Sequence, residues 1–182
     1  EVRRRRKSGE EFWASLQLSL LRDESGQPSG LIGYLSDITA RIEADKTMRL
    51  QSRIFEHSEE SIMITDAERR ILSVNRAFTR ITGYAEAEVV GQPPHFLRSD
   101  RHPASFYETI WRQVEQEGGW HGEVWTRRKG GEDFPSWASI SLVRNREGQV
   151  SQFFSIFTDI TERKAAEERI HYLAYYDELT GL

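Results

Sequence analysis

Residues 1–41, which begin EVRRRRKSGEEF and end SDITAR, return as residues 123–163, which begin EVWTRRKGGEDF and end TDITER. The two stretches align without a gap at an offset of 122, with 18 identities in 41 positions. Most remaining differences are like for like, as in Leu18/Ile140, Leu21/Val143 and Leu35/Phe157. A fixed-period repeat constrains the fold more than any composition does, because both copies must build the same unit. The unit reads as three strands, at 123–129, 134–143 and 150–160. Lys129-Gly130-Gly131-Glu132 supplies the first turn, where glycine adopts positive φ without steric cost. Asn145-Arg146-Glu147-Gly148 supplies the second. Residues 1–38 are therefore expected to be the last strands of a domain whose front half lies upstream.

The front half of the complete copy falls between Leu50 and Trp120. Ser61–Asp66 and Ile71–Val74 read as strands around a turn at Ala67-Glu68-Arg69-Arg70. Asn75 is placed to cap a short helix carrying Ala77, Phe78 and Ile81, and Gly83 to end it. A helical turn at 85–90 stops at Gly91 and the Pro93-Pro94 pair. Pro103 opens a longer helix to about Gln116, with Phe106, Ile110 and Val114 on one face. Two strands, several short helices and three strands make an α+β chain. One five-stranded antiparallel sheet with helices over one face satisfies that order.

Two further segments follow the repeats, ARIEADKTMRLQSRIF and ERKAAEERIHYLAYY. Both are polar and helix-forming, with a thin apolar stripe: Ile38, Ile42 and Ile54 in the first, and Ala166, Ile170 and Leu173 in the second. That is the pattern of a short coiled-coil seam. Thr161 is expected to be the N-cap of the second helix, with Lys164 where a capping box would place Glu. Composition narrows the chemistry. No cysteine is present, which excludes disulfides and thiolate metal sites, and the net charge of −4 argues against nucleic-acid binding. No apolar run approaches the ~20 residues of a membrane span, so a cytoplasmic segment without membrane contact is expected, in a parent protein that could be anchored to the inner membrane elsewhere.

The residues ITDAERRILSVNRAFTRITGYAEAEVVGQ, then WHGEVWTRRKGGEDFPSWASISLVRNREGQVSQFF, then DITERK, resemble a PAS domain with its C-terminal PAC segment. Arg69 stands where that family usually turns on glycine. The resemblance implies a PAS fold over 57–160. It is preceded by the PAC part of an upstream PAS domain (1–38) and a helical linker (39–56), and followed by an exit signalling helix (161–176). The final LAYYDELTGL resembles the entry of GGDEF domains, through Asp177, Leu179, Thr180, Gly181 and Leu182. This implies a bacterial diguanylate cyclase as parent, with room for a phosphodiesterase domain beyond, and no catalysis in the chain itself.

The family also implies a ligand pocket between sheet and short helices. Its expected lining is Ile64, Phe78, Ile81, Phe96, Phe106, Ile110, Val124, Ile140 and Phe154, and the alternative is a filled core. Having no cofactor is the first expectation. His102 is the candidate axial ligand of a haem, although Gly122 stands where an oxygen-sensing site would want Arg. Trp120, with Trp111, is the candidate for stacking on a flavin, or else a plug at the helix–sheet junction. Pro94 occupies the place of the reactive cysteine in light-sensing members. An uncoloured small molecule is the remaining ligand class. His57, His95, His121 and His171 lack metal-ligand spacing. The basic runs at Arg3–Lys7 and Arg127-Arg128-Lys129 read as solvated hairpin tips.

The expected function is signal sensing and relay. Asp159, Ile160, Thr161 and Arg163 would pass a change in the sheet to a homodimeric linker helix. The alternative is a ligand-free dimerisation scaffold using the outer sheet face, with Trp125, Trp137 and Ser139 on it. Leu16, Leu18, Leu20, Leu31 and Tyr34 of the first repeat are expected to need cover from another copy or surface.

Overall fold

The structure is a computed structural model that describes residues 1–175. It divides into two compact units, Glu1–Ile54 and Phe55–Leu182. The residues read as the opening of a GGDEF domain, 177–182, lie outside the described residues.

In the first unit, β1 (Val2–Arg5), β2 (Glu11–Arg22) and β3 (Pro28–Asp37) form an antiparallel sheet in that order, followed by α1 (Thr39–His57). Alternation puts Leu16, Leu18 and Leu20 on one face. The register adds Leu31 opposite Leu20 and Leu35 opposite Leu16. All five are exposed, and so is Tyr34, which the register puts on the other face opposite Gln17. Helix α1 buries none of its residues.

The second unit carries β4 (Ser61–Asp66), β5 (Ile71–Val74), α2 (Arg76–Thr82), α3 (Glu86–Val89), a 3-10 turn (Pro94–Leu97), α4 (Ala104–Glu117), β6 (Gly119–Arg127), β7 (Asp133–Arg144), β8 (Val150–Asp159) and α5 (Thr161–Tyr175). Its five strands are antiparallel in the order β5-β4-β8-β7-β6. The repeat holds residue for residue: β2 and β7, and likewise β3 and β8, have the same bounds after adding 122.

Local chemistry explains the element ends. Asn75 is almost fully buried and spends its whole amide. Its Oδ1 accepts from Phe78 N at 3.0 Å, capping α2, and from Ile62 N at 2.9 Å. Its Nδ2 donates to the carbonyls of Phe55 and Glu60. Gly83 ends α2 with φ of 80°, where a Cβ would be strained. In the β4–β5 hairpin Arg69 takes the left-handed conformation (φ 63°) that glycine usually fills. Its guanidinium lies 4.0 Å over the Trp111 ring and pairs with Glu115 at 2.6 Å, which offsets the backbone strain.

Two apolar clusters fill the space between the sheet and the helices. Phe78, Phe134, Ile71 and Val89 anchor one, with Met63, Ala138 and Phe157 from the sheet. Ile110 and Val114 of α4 and Phe153 of β8 form the other. Trp120 packs against both. Among the described residues, no helix is long and apolar enough to cross a membrane.

Candidate functional site: an aromatic cavity and a strand–helix latch

A cavity of about 130 Å³ opens between the sheet and the α4 side of the helical layer. Its walls are Met63, Leu97, Ile110, Trp111, Trp120, Val124, Ala138, Ile140 and Phe157, with Tyr107 and Trp125. Thr65, Thr126 and Ser155 bring hydroxyls to it, and Arg69, His95 and Arg98 belong to its lining as well. Burial, with help from the nearby guanidiniums of Arg98 and Arg69, holds the His95 pKa below its ordinary value, so this imidazole is neutral at pH 7.

The residues expected to line a pocket are partly dispersed. Ile110, Val124 and Ile140 do line the cavity. Phe78 lies in the sealed first cluster, with Ile81 and Phe96 packed against it. Phe106 packs against the second cluster. Ile64 and Phe154 are a correction: they face each other across β4 and β8 on the opposite side of the sheet. Their neighbours Met63, Thr65, Phe153 and Ser155 are the buried ones, because alternate strand residues point to opposite faces. A run of two phenylalanines hides that parity.

His102 is absent from the cavity lining. Its ring stacks on Phe106, with centroids 3.9 Å apart and planes within 8°. Its Nε2 accepts the Trp125 backbone N–H at 3.0 Å. That N–H is available because β6 is an edge strand. The acceptor nitrogen fixes the neutral Nδ1–H tautomer, and burial pushes the pKa below the ordinary value. His102 therefore docks a loop onto the sheet edge, and the lone pair a haem iron would need is already used. Trp120 does line the cavity. A Cβ on Gly122 would come within 2.9 Å of the Trp120 indole, so Gly122 is the space that lets this ring lie along β6. A volume near 130 Å³ is that of a single-ring site. The cavity is smaller than a porphyrin or a three-ring isoalloxazine. Among the described residues, no cluster of three His, Cys, Asp or Glu could hold a metal ion.

The second feature is the junction between β8 and α5. Asp159 Oδ1 accepts from Thr161 N at 2.8 Å and from Thr161 Oγ1 at 2.6 Å. Asp159 Oδ2 takes the Arg128 guanidinium at 2.5 Å. Partial burial works against the charge, but these donors outweigh it and hold the carboxyl below the usual range. The expected cap at Thr161 is thus corrected: Thr161 is the first helical residue, and the Asp159 carboxylate satisfies its N–H. Arg128 also bonds the Ile81 carbonyl near the end of α2 and lies 4.0 Å over the Phe134 ring. Ile160 is buried, with its N–H on the Pro135 carbonyl. Arg163 contacts Glu123 at 3.6 Å, while Lys164 meets the same carboxylate at 2.6 Å.

Arg127-Arg128-Lys129 is therefore not a solvated tip. Arg127 is clamped by Asp133 and Asp100, Arg128 by Asp159, and Lys129 by Glu88. The reading failed for Arg128 and Lys129 because their acceptors are 31 and 41 residues away in sequence. One signal could have found it: in the first repeat, Arg6 pairs with Asp37, whose Oδ1 accepts from Thr39 N. Those are the same three positions, 122 earlier. The register puts Trp125 on the same sheet face as Trp137 and Ser139, as expected. It borders the cavity at the sheet edge and carries Arg101 at 3.7 Å over its ring, while Trp137 is exposed.

Comparison with known proteins agrees with this geometry. A family model described as the PAS domain matches residues 1–40 and 59–162. The chain is 30% identical over 115 residues to a nitrogen fixation regulatory protein of Klebsiella oxytoca, covering 63% of this chain and 23% of that protein. It is 31% identical over 103 residues to the aerotaxis receptor of Escherichia coli K12, covering 56% and 20%. It is 31% identical over 121 residues to the sensor histidine kinase TmoS of Ectopseudomonas mendocina, covering 66% and 12%. The chain thus spans less than a quarter of these relatives. Among solved structures, the PAS domain of a Colwellia psychrerythraea protein is similar at a TM-score of 0.60 and 22% identity, over 64% of this chain and 99% of that one. An RNA-binding light-oxygen-voltage receptor is similar at a TM-score of 0.63 and 23% identity, over 90% and 44%. On the strength of the family match, which takes in the complete unit and the repeated strands of the first, the chain belongs to the PAS domain family.

Proposed function

We propose that this chain is the input and relay module of a signalling protein. A small molecule entering the cavity displaces the sheet and the α2–α4 layer. The displacement reaches α5 through Arg128 and Asp159. The observation that carries this reading is the latch itself: one guanidinium joins the end of α2, the Phe134 ring and the carboxylate that starts α5. Its recurrence at Arg6, Asp37 and Thr39 supports a built device over an accident of packing. A relay needs an element with two arrangements whose balance the input biases, and a helix held by one charged cap can be one.

The output is proposed to be a diguanylate cyclase. The support is the DELTGL resemblance at residues 177–182. Two cyclase domains must meet to join two GTP molecules, so a homodimeric α5 pair changing register would gate them. Asp159→Ala in the full-length parent is expected to leave the protein folded and cyclic di-GMP output fixed at one level. Output that still follows the stimulus would refute the relay. A second reading, a ligand-free dimerisation scaffold, draws on Trp137, which is 43% exposed on the outer sheet face.

A further inference from the structure

The cavity is chemically uneven, and the unevenness describes a ligand. Its volume of about 130 Å³ and its Trp, Tyr, Ile and Met walls suit one aromatic ring. Two cations belong to the lining. Arg69 lies over Trp111 and is half-neutralised by Glu115. Arg98 lies 4.7 Å over Tyr107 and has no carboxylate partner among the described residues. Asp100 and Asp133 are taken by Arg127 and Arg101. With His95 neutral, Arg69, Arg98 and Glu115 leave one net positive charge there.

A second, independent feature lies on the sheet. Ser155 is 7% exposed and belongs to the lining. It sits on the central strand β8, between Met63 on β4 and Ile140 on β7. Its hydroxyl makes no hydrogen bond among the described residues. By contrast Thr126 and Ser136, also buried, satisfy each other at 2.8 Å. The Ser155 hydroxyl opens into the cavity with its donor and acceptor free, so the position favours a ligand that meets it with a polar group.

We infer that the cavity takes a single-ring aromatic carboxylate bearing a hydroxyl: ring against Trp120 and Ile140, carboxylate on Arg98, hydroxyl toward Ser155. This rests on the input reading above and deepens it, by naming what enters. Arg98 confers the preference for an anion. A carboxylate on a guanidinium makes the stronger, charge-assisted kind of hydrogen bond, whereas a bare hydrocarbon would leave both polar groups unpaired.

The test is calorimetric titration of the 182-residue chain with 4-hydroxybenzoate, with toluene as the control. Saturable binding at one site per chain is expected, at least tenfold tighter than toluene. Arg98→Gln should weaken it at least tenfold, and Ser155→Leu, which fills the cavity, should abolish it. Arg98 is a surface-side residue, so that variant carries the test if Ser155→Leu fails to fold by circular dichroism. No saturable binding, toluene binding as tightly, or unchanged affinity in Arg98→Gln would each overturn the inference. The relay reading fails separately, through Asp159→Ala. Uncoupling there without 4-hydroxybenzoate binding would mean a relay with another input.

Discussion

The Asn75 side chain makes four hydrogen bonds, all to backbone groups. Its amide caps α2, ties down β4 and holds the chain at Phe55 and Glu60. Removing it leaves buried backbone groups unpaired, so Asn75→Ala is expected to cost about 2–4 kcal/mol by chemical denaturation. A loss below about 1 kcal/mol would show that water replaces the amide. His102 gives a pH prediction. Burial lowers its pKa in the folded state. As pH falls through about 6.5 the unfolded chain therefore binds the proton first, and stability is lost from there down to the folded midpoint. An NMR titration of the His102 ring should give a midpoint below about 6.5. A midpoint at or above that value would contradict the Nε2–Trp125 hydrogen bond.

The outer face of the β-sheet presents Trp137, with His121 at 6.1 Å between ring centroids. If this face pairs copies of the chain, Trp137→Glu should halve the mass measured by light scattering. An unchanged mass removes that surface and favours α5. At this scale the sequence was readable to a degree set by locality. The repeat, the β4–β5 hairpin, the Asn75 and Gly83 caps and α4 all depend on neighbours within a few residues, and all were legible. Ile64 and Phe154 were misplaced because apolar residues fill both faces of β4 and β8, so periodicity carries no parity. The cavity's cationic and hydroxyl groups were missed for another reason. Arg69, Arg98 and Ser155 come from a hairpin, a loop and the central strand, and only the fold brings them together. His102 looked like a ligand because its acceptor role on an edge strand leaves no trace in sequence.

Across the whole chain the latch appears twice, at Arg6–Asp37–Thr39 and Arg128–Asp159–Thr161. In each unit it joins the last strand to the helix that leaves it. The central claim is that an event in the cavity reaches α5 through this latch. Hydrogen exchange on the amides of residues 161–170 tests it most directly, in four chains: unchanged, Ser155→Leu, Asp159→Ala, and both together. The account predicts that filling the cavity changes α5 exchange when Asp159 is present and has no further effect when it is absent. An equal change in both backgrounds, or none in either, would contradict it.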